Sequence, residues 1–186
     1  MADPSDAELL NRLRHGEKSA LEPLVRRWEH AVYQIAWRVV GNTAEAEEVR
    51  QTVFLRMLER PHRLPQADSL AAWMRRCTVN AAISVVRRRR RIARPLPDGL
   101  REYRDEPPEQ PLFRAEEAAR LRDALEQFSP EDRALLSLRF DENLPFSEIA
   151  VALDRPPSTV KSRYTRLIGR LRSQLDPVFE ETDRHV

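Results

Sequence analysis

The sequence predicts an all-α fold: two small helical domains, an N-terminal helical bundle and a C-terminal helix-turn-helix domain, joined by a flexible linker. Three observations lead there. Glycine is scarce, at four of 186 residues, in a chain that is 33% charged and 41% hydrophobic. Apolar residues recur at three- and four-residue steps through both ends of the chain, the period of a helix with one buried face. Between them, prolines at 95, 97, 107, 108 and 111 interrupt any helix. The expected division is 1–92 for the first domain, 93–113 for the linker, 114–176 for the second domain and 177–186 for a tail.

Taken in order, Leu9, Leu10 and Leu13 open a short amphipathic segment. Leu21, Leu24, Val25, Trp28, Val32, Ile35, Ala36 and Val39 then mark one face of a long helix ending near Gly41. Asn42 followed by Glu45 has the spacing of an N-cap and its capping-box partner, and Val49, Val53, Phe54, Met57 and Leu58 continue the next apolar face. Pro61 stops that helix. After a loop, Ser69 is the expected cap of a third helix whose packing face is Leu70, Trp73, Met74, Cys77, Ala81 and Val85. The linker has its own sign: from Pro95 to Pro111, Arg101 and Arg104 stand against Asp98, Glu102, Asp105, Glu106 and Glu109, a charge of −3. A helical segment from about Phe113 reaches Ser129. There the string SPED reads as a cap with Pro130 at the first helical position and Asp132 near the positive end of the helix dipole. Leu135, Leu136, Leu138 and Phe140 supply the next apolar contacts. The short PFSEIAVAL, the turn DRPP and a long basic helix follow, which is the order of a helix-turn-helix.

Several function classes fall away. No apolar run approaches the roughly 20 residues of a membrane span, and the start MADPSDAELL lacks the regions of a signal peptide, so a cytoplasmic location without membrane insertion is expected. Cys77 is the single cysteine, which removes a disulfide framework or a cysteine zinc site and suggests a small core residue. No metal or cofactor is expected. Glu45, Glu47, Glu48 and His62 are the conceivable acid, base or ligand residues of an enzyme, but no nucleophile motif, phosphate loop or metal spacing supports one. A helix N-terminus accounts better for the carboxylates.

The net charge of +2 understates the basic character, because the arginines are gathered: VRRRRRIAR at 86–94 carries six, and Arg155 to Arg172 carries six basic side chains and no acidic one. Clustered positive charge points to a polyanion. At about 100° per residue, Val160, Tyr164, Leu167 and Leu171 share one face of the last helix; Ser158, Ser162, Thr165, Arg166 and Gly169 share the other. Small hydroxyl residues, Thr159 included, admit a helix to a major groove about 12 Å wide, where Arg166 offers guanine a bidentate donor pair. Arg155, Lys161 and Arg163 suit phosphates, which position a protein without reading sequence. A second polar line, Arg76, Asn80, Ser84 and Arg87, runs at helical spacing along the third helix and leads to Arg88 and the rest of the arginine run. Two separate DNA-reading surfaces are implied. Arg60, His62 and Arg63 provide chemistry for holding a single strand with an unstacked base.

From Asp6 to Leu175 the chain resembles the bacterial RNA polymerase sigma factors of the sigma-70 family, extracytoplasmic-function (ECF) group. The resemblance rests on AEAEEVRQTVFLRML at 44–58, on AAWMRRCTVNAAISVVRRRR, and on SEIAVALDRPPSTVKSRYTRLIGRLR with its string TVKSR. It implies a non-catalytic factor that binds core polymerase and directs it to promoters. The helix matching Ala44 to Arg60 would dock on a coiled coil of the largest subunit through Glu47, Glu48, Gln51, Phe54 and Leu55, with the flap region as a further contact. The Asn80 helix and the loop from Pro61 to Asp68 would read the melted −10 strand, and the helix-turn-helix the duplex −35 element. The acidic linker would enter a channel built for nucleic acid, and an anti-sigma factor is a partner such proteins commonly have. Pro145 stands where the family often has a capping Ser or Thr, and Asp154 replaces a common turn glycine. The alternative is a stand-alone helix-turn-helix regulator, which would not need the Asn80 helix or the arginine run.

Overall fold

The computed structural model describes residues 4–92, 121 and 123–175, and all regular structure among them is helical. Helix α1 (Asp6–Arg14) starts at a full capping box, Ser5 accepting from the Glu8 N–H while the Glu8 carboxylate accepts from the Ser5 N–H at 2.8 Å. Helix α2 (Leu21–Val40) ends at Gly41, whose φ of 71° is left-handed and whose N–H returns to the Trp37 carbonyl. Helix α3 (Thr43–Glu59) begins at Asn42, with its Oδ1 accepting the Glu45 N–H at 3.0 Å. The return half of the expected capping box does not form, because the Glu45 carboxylate turns to Arg89 at 2.8 Å.

The segment between α3 and the next helix is wound into two 3-10 turns, Pro61–Arg63 and Ala67–Ser69, the second leading into α4 (Leu70–Ile92). The expected Ser69 cap therefore falls inside a turn. Arg14 pins this stretch by donating to the carbonyls of Leu64 at 3.2 Å and Pro65 at 2.6 Å. In the C-terminal half, helical residues at 121 and 123–126 precede Ser129. Ser129 caps α5 (Pro130–Phe140) by accepting the Asp132 N–H, with Pro130 in the first turn as expected. Then come α6 (Phe146–Leu153) and α7 (Pro157–Leu175). The acidic linker and the tail lie outside the described residues.

Helices α2, α3 and α4 pack on one another around Leu24, Ile35, Val53, Met57, Met74 and Val86, all buried. Each such side chain contributes about 1.5–3 kcal/mol on leaving water. Helices α5, α6 and α7 close around Leu135, Leu138, Ile149, Val160 and Leu167. The halves are not separate: α5 packs against α2 and α4, α6 packs against α4, and the buried cluster runs through both halves. Truncating Leu135 or Leu138 to alanine would cost about 2–5 kcal/mol, since the cavity left lies where neighbours cannot easily collapse.

Two apolar expectations change. Phe140 ends α5 61% exposed, its ring 6.2 Å from that of Tyr164 instead of in the core. Phe54, expected at a docking surface, is 6% exposed, because the step that puts Val53 and Met57 inward carries it with them. Cys77 is half-buried beside the core, and burial pushes its thiol above the ordinary range.

Candidate nucleic-acid interface

The helix-turn-helix is α6, the turn 154–156 and α7. Helix α6 has no side-chain cap at Pro145, whose ring already holds the extended backbone of an N-cap. Asp154 ends it at φ 54°, a left-handed geometry that aspartate tolerates better than most residues, and its N–H returns to α6 carbonyls. The turn keeps its shape without the glycine of the resembled family. Phe146 meets Tyr164 edge-on with centroids 5.2 Å apart, setting α7 on α6 from the side opposite the polar face.

On α7, Val160 and Leu167 are buried and Tyr164 and Leu171 half-buried, while Ser158, Lys161, Ser162, Thr165 and Arg166 line an open, outward face. Arg166 is held along the helix by its Nε donating to the Ser162 carbonyl at 3.4 Å, which leaves its outer nitrogens directed away from the core. Arg163 departs from its expected place among the phosphate contacts. It is half-buried, its Nε donates to Asp132 and its Nη2 donates to Ser129 Oγ at 3.0 Å. The capping end of α5 therefore occupies it. Arg170 lies over the Phe128 ring, 4.9 Å from its centroid.

On α4, Arg76, Asn80, Ser84 and Arg87 are exposed along one line, as expected for side chains three and four apart. Arg88, next to Arg87, is exposed too. What the sequence separated, the fold brings together. Asn80, Ser84 and Arg87 share a cleft of about 270 Å³ with Arg155, Thr159 and Arg163. Across it Arg87 meets Glu131 at 2.8 Å, and beside it Arg76 meets Asp154 at 3.2 Å. Arg75 was not singled out from sequence. It reaches Glu142 at 3.5 Å and Glu148 at 3.4 Å, and Arg38 of α2 reaches Asp141 at 3.2 Å. No local pattern could have found these pairs, because their members lie far apart along the chain.

On α3, Gln51 is exposed and Leu55 is 54% exposed, over a shallow patch shared with Leu21, Val25, Arg50 and Phe54. Glu47 pairs with Arg50 at 2.6 Å. Glu48 accepts two bonds from Arg88, the shorter 2.7 Å, and this holds its carboxyl below the usual range while raising the Arg88 guanidinium. Arg60, His62 and Arg63 are exposed on and beside the turn that Arg14 pins. No cluster of three or more His, Cys, Asp or Glu side chains suited to a metal is present among the described residues, and no helix there is long and apolar enough to cross a membrane.

A helix-turn-helix with an outward hydroxyl and arginine face, joined to a bundle whose last helix carries a second polar, basic line, defines a two-part helical DNA-binding protein. Residues 24–92 match the family Sigma-70 region 2, and residues 118–171 match Sigma-70, region 4. The ECF RNA polymerase sigma factor SigE of Mycolicibacterium smegmatis is 33% identical over 173 residues, covering 90% of this chain and 67% of that protein. The RNA polymerase sigma-H factor of Pseudomonas aeruginosa is 27% identical over 195 residues, covering 97% and 99%. Among solved structures, CnrH in complex with the cytosolic domain of CnrY superposes with a TM-score of 0.69 at 20% identity, covering 94% of this chain and 99% of the other. The sigma factor RpoE of Bartonella quintana, in complex with the anti-sigma factor NepR, gives 0.67 at 19% identity, covering 83% and 96%; at such identities the likeness is one of fold. The chain belongs to the sigma-70 family, in its ECF group, and functions as an RNA polymerase sigma factor that directs transcription initiation at promoters.

Proposed function

We propose that this sigma factor divides promoter recognition between its two halves and carries no catalytic chemistry of its own. Helix α7 enters the major groove of the −35 element with Ser158, Thr159, Ser162, Thr165 and Arg166 toward the bases, and Lys161 and Arg155 toward phosphates. The α4 line of Arg76, Asn80, Ser84 and Arg87, extended by Arg88 and by Arg60, His62 and Arg63, holds the −10 strand. The observation that carries this reading is the outward, small-residue face of α7 with Arg166 free of any acidic partner in the described ion pairs. Core polymerase binds the α3 face of Glu47, Gln51 and Leu55. Phe54 supports that face from within, and Glu48 reaches it only by exchanging Arg88 for a polymerase partner.

The protein works in the cytoplasm, where the polymerase is. An anti-sigma factor is a further partner, by analogy with the relatives solved in complex with CnrY and NepR. The linker, outside the described residues, occupies a nucleic-acid channel of the polymerase during early RNA synthesis. The test is co-purification with core polymerase followed by run-off transcription from candidate promoters. Promoter-specific transcripts that require this chain are expected; duplex binding with no effect on core polymerase would instead make it a stand-alone regulator.

A further inference from the structure

The ion pairs that join the halves share one polarity. Arg38 and Arg75, Arg76 and Arg87 give the cations, from α2 and α4; Asp141, Glu142, Glu148, Asp154 and Glu131 give the anions, from the C-terminal half. Two of these arginines, Arg76 and Arg87, belong to the line read above as facing the −10 strand. Their guanidinium groups accept carboxylate or phosphate oxygens with the same geometry. Arg75 is the most withdrawn from water, with its side chain 18% exposed against 20% for Glu142, and its buried Nε has no hydrogen-bond partner. Its charge is offset by carboxylates from across the interface.

We propose that the acidic edge of the C-terminal half, formed by Glu131, Glu142, Glu148 and Asp154, is an intramolecular occupant of the basic α4 face and competes there with promoter DNA. The inference rests on reading α4 as the strand-facing helix. In the closed arrangement Asn80 and Ser84 look into the cleft shared with Arg155 and Thr159, so both DNA-reading faces are partly turned on each other. Arg87 and Asp154 are largely exposed within their pairs. Such exposed pairs contribute little and exchange readily, which suits a contact that a stronger polyanion displaces. The closed chain then binds nucleic acid weakly until a partner or the promoter opens it.

The test uses the full chain. Glu131→Gln, Glu142→Gln and Glu148→Gln are combined, and a charge-matched control carries Glu17→Gln, Glu22→Gln and Glu59→Gln, carboxylates remote from the interface. Small-angle scattering is expected to give the wild type a radius of gyration near the roughly 16 Å of a compact chain of this length, and the interface variant a larger one. Binding of a labelled single-stranded oligodeoxynucleotide of mixed sequence, read by anisotropy, should tighten about fivefold to tenfold in the interface variant and less than about twofold in the control. A second variant with Glu142→Lys and Glu148→Lys should open the chain, and adding Arg75→Glu should close it again. An unchanged radius, an equal gain in the control, or a charge swap that fails to reclose overturns the proposal. So does an opened variant whose binding is unaltered. The reading of α4 is judged separately, by the effect of Asn80→Ala on promoter opening with core polymerase, so its failure is distinguishable from failure of the closure.

Discussion

Replacing Arg163 with alanine removes the one guanidinium that reaches into the cap of α5, and the structure sets the size of the effect. Asp132 is only 11% exposed at its side chain; it accepts from Arg163 and from Ser129 Oγ at 2.8 Å. Without Arg163 a nearly buried carboxylate keeps the Ser129 bond and the positive end of the α5 dipole but loses its charged partner. A hydrogen bond to a charged group contributes about 1.5–3 kcal/mol, and the dipole returns only some 0.3–1 kcal/mol of it. The expected loss is about 2 kcal/mol, or about 4–8 °C in melting temperature for a chain of this size. Thermal unfolding followed by circular dichroism, with Arg163→Ala, Asp132→Ala and the double substitution, measures the coupling directly. A double variant less unstable than the sum of the singles is expected. A melting temperature for Arg163→Ala within about 1 °C of wild type, together with loss of binding to every duplex, would return Arg163 to the phosphate contacts and refute the structural role.

Arg166→Ala, by contrast, should leave stability unchanged and relax preference at one or two −35 base pairs by about 1–3 kcal/mol, checked by binding to singly altered promoters at several salt concentrations. Equal weakening on every variant would make Arg166 a phosphate contact. Asn80→Ala should fold normally, since the side chain is exposed on α4, and reduce open-complex formation without reducing core binding; permanganate footprinting of the melted strand reads this. Leu55→Asp should change stability by less than about 0.5 kcal/mol, as expected of an outward residue, while core polymerase retention on an affinity column drops. The Arg88 hydrogen bond depresses the Glu48 carboxyl, so its contribution is present above the unfolded-state value and disappears as pH falls through the lowered folded value. Denaturation midpoints of wild type and Glu48→Gln should therefore differ near neutrality and converge in acid.

The sequence alone determined the helical class, the approximate bounds of the helices and the two polar lines, because these depend on neighbours a few residues apart. The stop at Gly41, the Ser129 cap with Pro130 after it, and the opposed faces of α7 follow from local backbone chemistry and a 3.6-residue period. The same period placed Asn80 and Ser84 outward beside buried Val79 and Ala81. Tertiary structure decided which cations are already spoken for. Arg163 is taken by Asp132, Arg88 by Glu48 and Arg89 by Glu45, and Arg75 emerges at the contact between the halves. A guanidinium at the end of a long flexible side chain has no positional preference of its own. Its partner is set by what the packing of α2 and α4 against α5 and α6 brings within about 3–4 Å, and those carboxylates lie too far along the chain for any local pattern to assign them.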